Sequence, residues 1–213
     1  MRAITAFTLL LVLAMPASAQ EPRNTQRLTL DPETVNASTA WFPAGSRPAD
    51  YEMGAAVTEG MTRPAGFRIQ AKPDAAGNGF GTLMRWSPGA PWRGKRVQLS
   101  ARMKSEDVVT LQLWLRVDGS KAPSLAFYNM GDRPVVGTSD WQRYAVVLDV
   151  PEGAQRLALG FFVSGGQGVA WAEDFRVEEV GREVPVSVMR SQRITQPPRQ
   201  VDDRWDYWYR WDR

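Results

Sequence analysis

The feature that most constrains this chain is a hydrophobic period of two. From Arg96 to Met103, Val97, Leu99, Ala101 and Met103 alternate strictly with Arg96, Gln98, Ser100 and Arg102, the pattern of a strand with one buried face. Thr110 to Asp118 repeats it, with Leu111, Leu113, Leu115 and Val117 on the core face and Gln112, Trp114, Arg116 and Asp118 on the other, before a turn at Asp118-Gly119. Tyr144, Val146, Leu148 and Val150 alternate before Pro151, and Leu157, Leu159, Phe161 and Val163 before Gly165-Gly166. Val169, Trp171, Phe175 and Val177 form another run, and weaker strand signals lie at Ala49 to Val57, Gly66 to Ala71, Gly79 to Trp86 and Ser124 to Met130. The body carries no helical period. Short strands separated by Gly, Pro, Asp and Ser at intervals of roughly 8 to 15 residues predict an all-β, two-sheet antiparallel sandwich or jelly roll. Leu111, Leu113, Leu115, Val146, Leu148, Leu159, Phe161 and Trp171 are expected inside, with Trp141.

The 213 residues divide by composition. Arg2, the apolar run Ile4 to Met15 and the small residues Ala17-Ser18-Ala19 read as a signal peptide over 1–19, cleaved after Ala19. The apolar run is too short for a bilayer span, which needs about 20 residues. Residues 20–35 read as a flexible N-terminal segment, 36–180 as the sandwich, 181–204 as a linker containing Pro197-Pro198, and 205–213 as an aromatic tail. The expected location is periplasmic or secreted, with no transmembrane segment.

Cysteine and histidine are both absent, which removes disulfides, thiolate and imidazole metal sites, and nucleophiles activated by histidine. Carboxylates remain as acid or base groups, but no spacing among Asp118, Asp132, Asp149, Glu173 and Asp174 singles out a pair, and the chain is read as not an enzyme. The net charge of +3 is carried by the two ends: residues 20–180 hold 18 basic and 18 acidic side chains. No broad basic footprint for nucleic acid results, and the cluster Arg93-Gly94-Lys95-Arg96 reads as a solvated turn.

Three segments resemble, in order, the strands of galactose-binding-like jelly rolls, the fold of many carbohydrate-binding modules. They are Trp92-Arg93-Gly94-Lys95-Arg96-Val97-Gln98-Leu99-Ser100-Ala101, then Asp140-Trp141-Gln142-Arg143-Tyr144 with Val146, Leu148, Val150 and Pro151, then Gly168-Val169-Ala170-Trp171-Ala172-Glu173-Asp174-Phe175-Arg176-Val177-Glu178. The resemblance covers about residues 60 to 180. It implies a structural calcium as the one metal to consider, because Glu173-Asp174 stands where those modules often carry paired aspartates. Asp174 is then the candidate ligand, against the alternatives of a loop cap or a pair with Arg; no other cofactor is expected. Phe80-Gly81-Thr82-Leu83-Met84, Leu113 to Gly119 and Leu125 to Met130 are similar to small bacterial proteins labelled AraC-type transcriptional regulators. A helix-turn-helix needs a helical pair with a basic face, and this sequence shows neither.

Aromatic rings cover the apolar faces of sugars while neighbouring amides and guanidinium groups bond the hydroxyls. On that chemistry Trp114 and Arg116, which leave the core face of their strand, are the candidate ligand-binding residues, with Gln112, Tyr128, Asn129 and Trp86 as neighbours. The alternative for Trp114 is a satellite cluster under a flanking segment. In the tail Trp205, Tyr207, Tyr209 and Trp211 alternate, with Trp208 out of step, and so much aromatic surface needs a partner: the chain's own sandwich, a protein, a glycan or a membrane interface. The function expected is a non-catalytic module binding carbohydrate or another cell-envelope component. A structural or protein-interaction module working through the tail is the alternative.

Overall fold

The computed structural model describes residues 26–27, 41–62, 66–120 and 124–189. The stretch read as a leader over 1–19, the segment over 20–35 except Gln26–Arg27, and the aromatic tail lie outside the described residues. Ten strands follow one another: β1 (Gln26–Arg27), β2 (Phe42–Gly45), β3 (Tyr51–Ala56), β4 (Gly66–Ala71), β5 (Phe80–Pro88), β6 (Arg96–Gly119), β7 (Ala126–Tyr128), β8 (Val135–Asp149), β9 (Ala154–Ser164) and β10 (Val169–Val180). Two short 3-10 turns, Pro48–Asp50 and Ala90–Trp92, precede β3 and β6.

The two alternating runs at 96–103 and 110–118 are one 24-residue strand, β6, and this strand joins the layers. Its first half lies between β10 and β8, its second half between β9 and β7. Layer one is therefore β3-β4-β10-β6-β8 and layer two β2-β5-β9-β6-β7, every neighbouring pair antiparallel. The change of layer falls where the pairing with β8 shifts register between Ser105 and Val108, at Asp107, whose φ of 55° is a turn conformation that an L-residue enters at a cost of roughly 1–2 kcal/mol. Strands that change sheet at a bulge make the corners of such sandwiches.

Between the layers lies the expected core: Leu99 and Met103 from layer one, Leu111, Leu113, Leu115, Leu159 and Phe161 from layer two, with Val146 and Leu148 from β8. Trp171 and Trp141 are corrections. Between Glu173 and Arg176, β10 carries one residue more than β6, and Asp174 in that bulge has a φ of 49°. The extra residue reverses the alternation, so Phe175 and Val177 point inward with Ala170 and Ala172, while Trp171 stands on the outer face beneath the Lys104 ammonium, 5.4 Å from its ring centre. Trp141 stands half-buried on the same outer face, under the Arg102 guanidinium at 5.1 Å. Residues 181–189, read as the start of the linker, instead run along the domain: Arg96 Nη1 donates to the carbonyls of Arg182 and Val184 at 2.8 and 2.7 Å, and Ser187 exchanges two bonds with the backbone of Val147.

Candidate functional site

Antiparallel register sets which side chains share a face, because residues directly opposite point the same way. On the outer face of layer two one row runs Phe42, Met84, Gly160, Trp114. The next is Ala44, Thr82, Phe162, Gln112, and a third is Trp86, Ala158, Arg116, Phe127. Of the six residues expected to bind a ligand, Trp86, Gln112, Trp114 and Arg116 stand together here. Asn129 follows β7 at its rim, tied to Gln112, whose Nε2 donates to the Asn129 carbonyl at 2.9 Å.

The expectation that Trp114 offers an open ring is corrected. It is 0% exposed, its Nε1 donating to Thr82 Oγ1 at 3.1 Å, and Met84, Ala158 and Phe162 share its cluster. The ring can lie across β9 because the position between Trp114 and Met84 is Gly160. This is a satellite cluster, the alternative reading of the sequence. Tyr128 is a second correction: it pairs in register with Leu115 and is therefore in the core. Its hydroxyl donates to Asp132 Oδ1 at 2.6 Å and accepts from Arg133 Nε at 3.0 Å. Burial first, and then the Asp132 carboxylate, raise its phenol pKa above the ordinary value.

Gln112 and Arg116 are buried too. Arg116 forms a two-pronged pair with Asp118, Nε to Oδ1 at 2.7 Å and Nη2 to Oδ2 at 2.9 Å. Arg156 Nε reaches the same carboxylate at 3.3 Å. The indole of Trp86, half-buried, carries both guanidinium groups, Arg156 at 4.0 Å and Arg116 at 5.7 Å from the ring centre. Trp86, Asn129 and Arg156 thus supply accessible surface, and Gln112, Trp114 and Arg116 form the floor beneath. Phe80, Phe127, Phe162 and Arg156 belong to this face and were not singled out from sequence. Parity was the missing signal for Phe162, the outward position between Phe161 and Val163.

The outer face of layer one is more polar. Glu173, 0% exposed, accepts from the Thr62 amide and hydroxyl at 3.0 Å each and pairs with Arg102. Asp174 is corrected as a calcium ligand: its carboxylate accepts from Arg143 Nη2 at 2.5 Å and Arg176 Nη2 at 2.6 Å, and two guanidinium groups repel a cation and occupy the lone pairs it would need. Among the described residues no three carboxylates gather as a metal site. Beside Trp141 a groove of about 460 Å³ is lined by Glu59, Lys104, Glu106 and Asp140.

The layered architecture has solved relatives. The enzymatically active domain of the bacteriophage CBA120 tailspike protein 4 superposes on 66% of this chain and 19% of its own, at a TM-score of 0.51 and 17% identity. By fold this is a two-layer antiparallel β-sandwich of the jelly-roll kind. A CBM4 module covers 68% of the jelly-roll chain and 90% of its own at a TM-score of 0.47 and 15% identity, and the CBM22-1-GH10 modules of the Clostridium thermocellum xylanase 10B cover 70% and 27% at 0.47 and 16%. In sequence, the uncharacterized HTH-type transcriptional regulator YbfP of Bacillus subtilis (strain 168) is 36% identical over 149 residues, 68% of this chain. The chain spans about half the length of that relative, 49%. No α-helix occurs among the described residues, so the helix-turn-helix of the relative's name has no counterpart in them. No family model matches the sequence.

Proposed function

We propose that this jelly roll is a non-catalytic carbohydrate-binding module of the cell envelope, exported by its leader, and that the outer face of layer two is its contact surface. The observation that carries the reading is Trp86: an accessible indole carrying the Arg156 and Arg116 guanidinium groups, with the bonded pair Gln112 and Asn129 farther along the same face. An accessible ring with guanidinium donors beside it matches a sugar, whose C–H face stacks while its hydroxyls bond in the plane. The buried Trp114 supports the site as a rigid floor. The ordered motifs that resemble carbohydrate-binding modules point to the same ligand class.

Binding without reaction follows from what the carboxylates already do. Asp118, Glu173 and Asp174 each accept charged hydrogen bonds from arginine, which engages them with the fold rather than leaving them placed to transfer a proton. Export is supported by the leader pattern; among the described residues no helix is long and apolar enough to cross a membrane.

The test is an array of β-linked oligosaccharides and envelope polysaccharide fragments probed with the purified full chain, followed by titration calorimetry on the hits. Binding to at least one glycan, lost in Trp86→Ala and unaccompanied by any cleavage product, is the expected result. No binding across the array, or hits insensitive to Trp86→Ala, would overturn the proposal.

A further inference from the structure

We infer that the C-terminal aromatic segment 205–213 of the same chain docks on the outer face of layer two and thereby competes with ligand. The docking stands on the face itself; its regulatory consequence rests on the carbohydrate reading above.

Burial on this face is the first observation. Trp114 is 0% and Phe162 6% exposed, although both stand on the side of the sheet turned away from the core, in a cluster made up of residues of that one face. Side chains rising from a single sheet stay wet at their tips unless something lies over them, so a face this dry has a cover. Phe80, Trp86 and Phe127, half-buried around the same cluster, extend the aromatic area such a cover would meet.

The second observation is where the described chain ends. Met189 packs against Gly131, in the turn that Asn129 closes by accepting the Gly131 amide at 3.0 Å, and Asn129 is at the rim of the face. Fifteen residues lie between Met189 and Trp205, a reach of about 50 Å when extended, whereas five strands at their usual spacing span only about 19 Å. The segment is therefore long enough to cross the whole face from Met189, the last described residue before it.

The third observation is chemical fit. Trp205, Tyr207, Tyr209 and Trp211 alternate, so an extended segment lays four rings on one side, matching an aromatic face. Asp206, Trp208, Arg210 and Asp212 then fall on the opposite side of the segment, so its polar edge is turned to solvent. A sugar and the tail would then use the same surface, and the tail, being tethered, is always present at high effective concentration.

The experiment uses the full chain with Tyr207→p-benzoylphenylalanine, a position on the ring-bearing side of the segment, irradiated without glycan and mapped by mass spectrometry. Cross-links within the monomer to peptides carrying Phe80 to Trp86 or Phe127 are expected. Cross-links confined to other surfaces, cross-links between two chains, or none at all would overturn the docking. A full-chain variant with Trp205, Tyr207, Tyr209 and Trp211 all changed to Ser then reads the consequence: about ten-fold tighter binding to the glycan that the array identifies. Unchanged affinity would overturn the competition. Cross-links in place with no glycan bound by either form would overturn the carbohydrate reading while leaving the docking intact.

Discussion

The indole Nε1 of Trp114 on β6 donates to Thr82 Oγ1 on β5 at 3.1 Å, although β9 runs between the two strands. The bond is made across Gly160, and Thr82 passes it on by donating to the Phe161 carbonyl at 2.8 Å. One ring thereby ties three strands of layer two together. Trp114→Ala should cost about 3–5 kcal/mol of stability, the range for removing a buried aromatic side chain, whereas Trp114→Phe should lose a bond worth about 1 kcal/mol and a smaller part of the packing. Urea unfolding monitored by circular dichroism measures both, and a wild-type midpoint in Trp114→Ala would contradict the packing described here.

Trp86 should behave in the opposite way. Its ring is half-buried and its guanidinium neighbours contribute about 1 kcal/mol or less at an accessible site, so Trp86→Ala should leave the melting temperature nearly unchanged. If stacking on nucleic-acid bases is a fair guide, the same change should weaken glycan binding by about 1–3 kcal/mol. Calorimetry and a thermal melt on one sample separate the two effects.

Glu173 is fully buried and depends on Arg102 and Thr62 for its partners. Arg102→Met leaves that carboxylate without its charge partner and should destabilise by about 3–5 kcal/mol, while the double change Arg102→Met, Glu173→Leu should recover most of the loss. A denaturant series on the three proteins gives the coupling. Full additivity of the single changes would show that the pair is not a unit.

Acid sensitivity should be reduced in Asp149→Asn. The Arg96 guanidinium, bonded to Asp149 at 2.8 and 2.9 Å, holds the carboxyl below its ordinary pKa of 3.8. A depressed folded-state pKa stabilises above the unfolded value and is lost as pH falls through the folded one. The stability difference between wild type and Asp149→Asn should therefore be constant at neutral pH and shrink below about pH 4. Because Asp149 is 45% exposed, added salt should narrow it as well. Thermal melts across that pH range check both.

Calcium should not shift the melting temperature. Arg143 and Arg176 fill the coordination sphere that Asp174 would offer, and binding to the native state alone would raise stability by mass action. Melts with and without millimolar calcium decide the matter.

The strands were legible because alternation is local. Leu111, Leu113 and Leu115 declare their face within a few residues, and Gly66–Ala71 begins and ends where its pattern does. The same parity placed Gln112, Trp114 and Arg116 on one outer face before any fold was known. What the sequence alone did not decide depends on neighbours far along the chain. Where the Trp114 ring lies, and what its Nε1 bonds with, turn on β5 and β9, some 30 to 46 residues away, and on a glycine that leaves room for the ring. That Trp171 and Phe175 face opposite ways turns on a bulge at Asp174, which only the pairing with β6 reveals; by spacing alone the two look alike. Tyr128 and Asn129 are adjacent in sequence, yet the register of β7 against β6 sends one into the core and leaves the other at the rim. Side-chain periodicity is a property of each strand, whereas register, bulges and cover are properties of pairs of strands, and those belong to the tertiary structure.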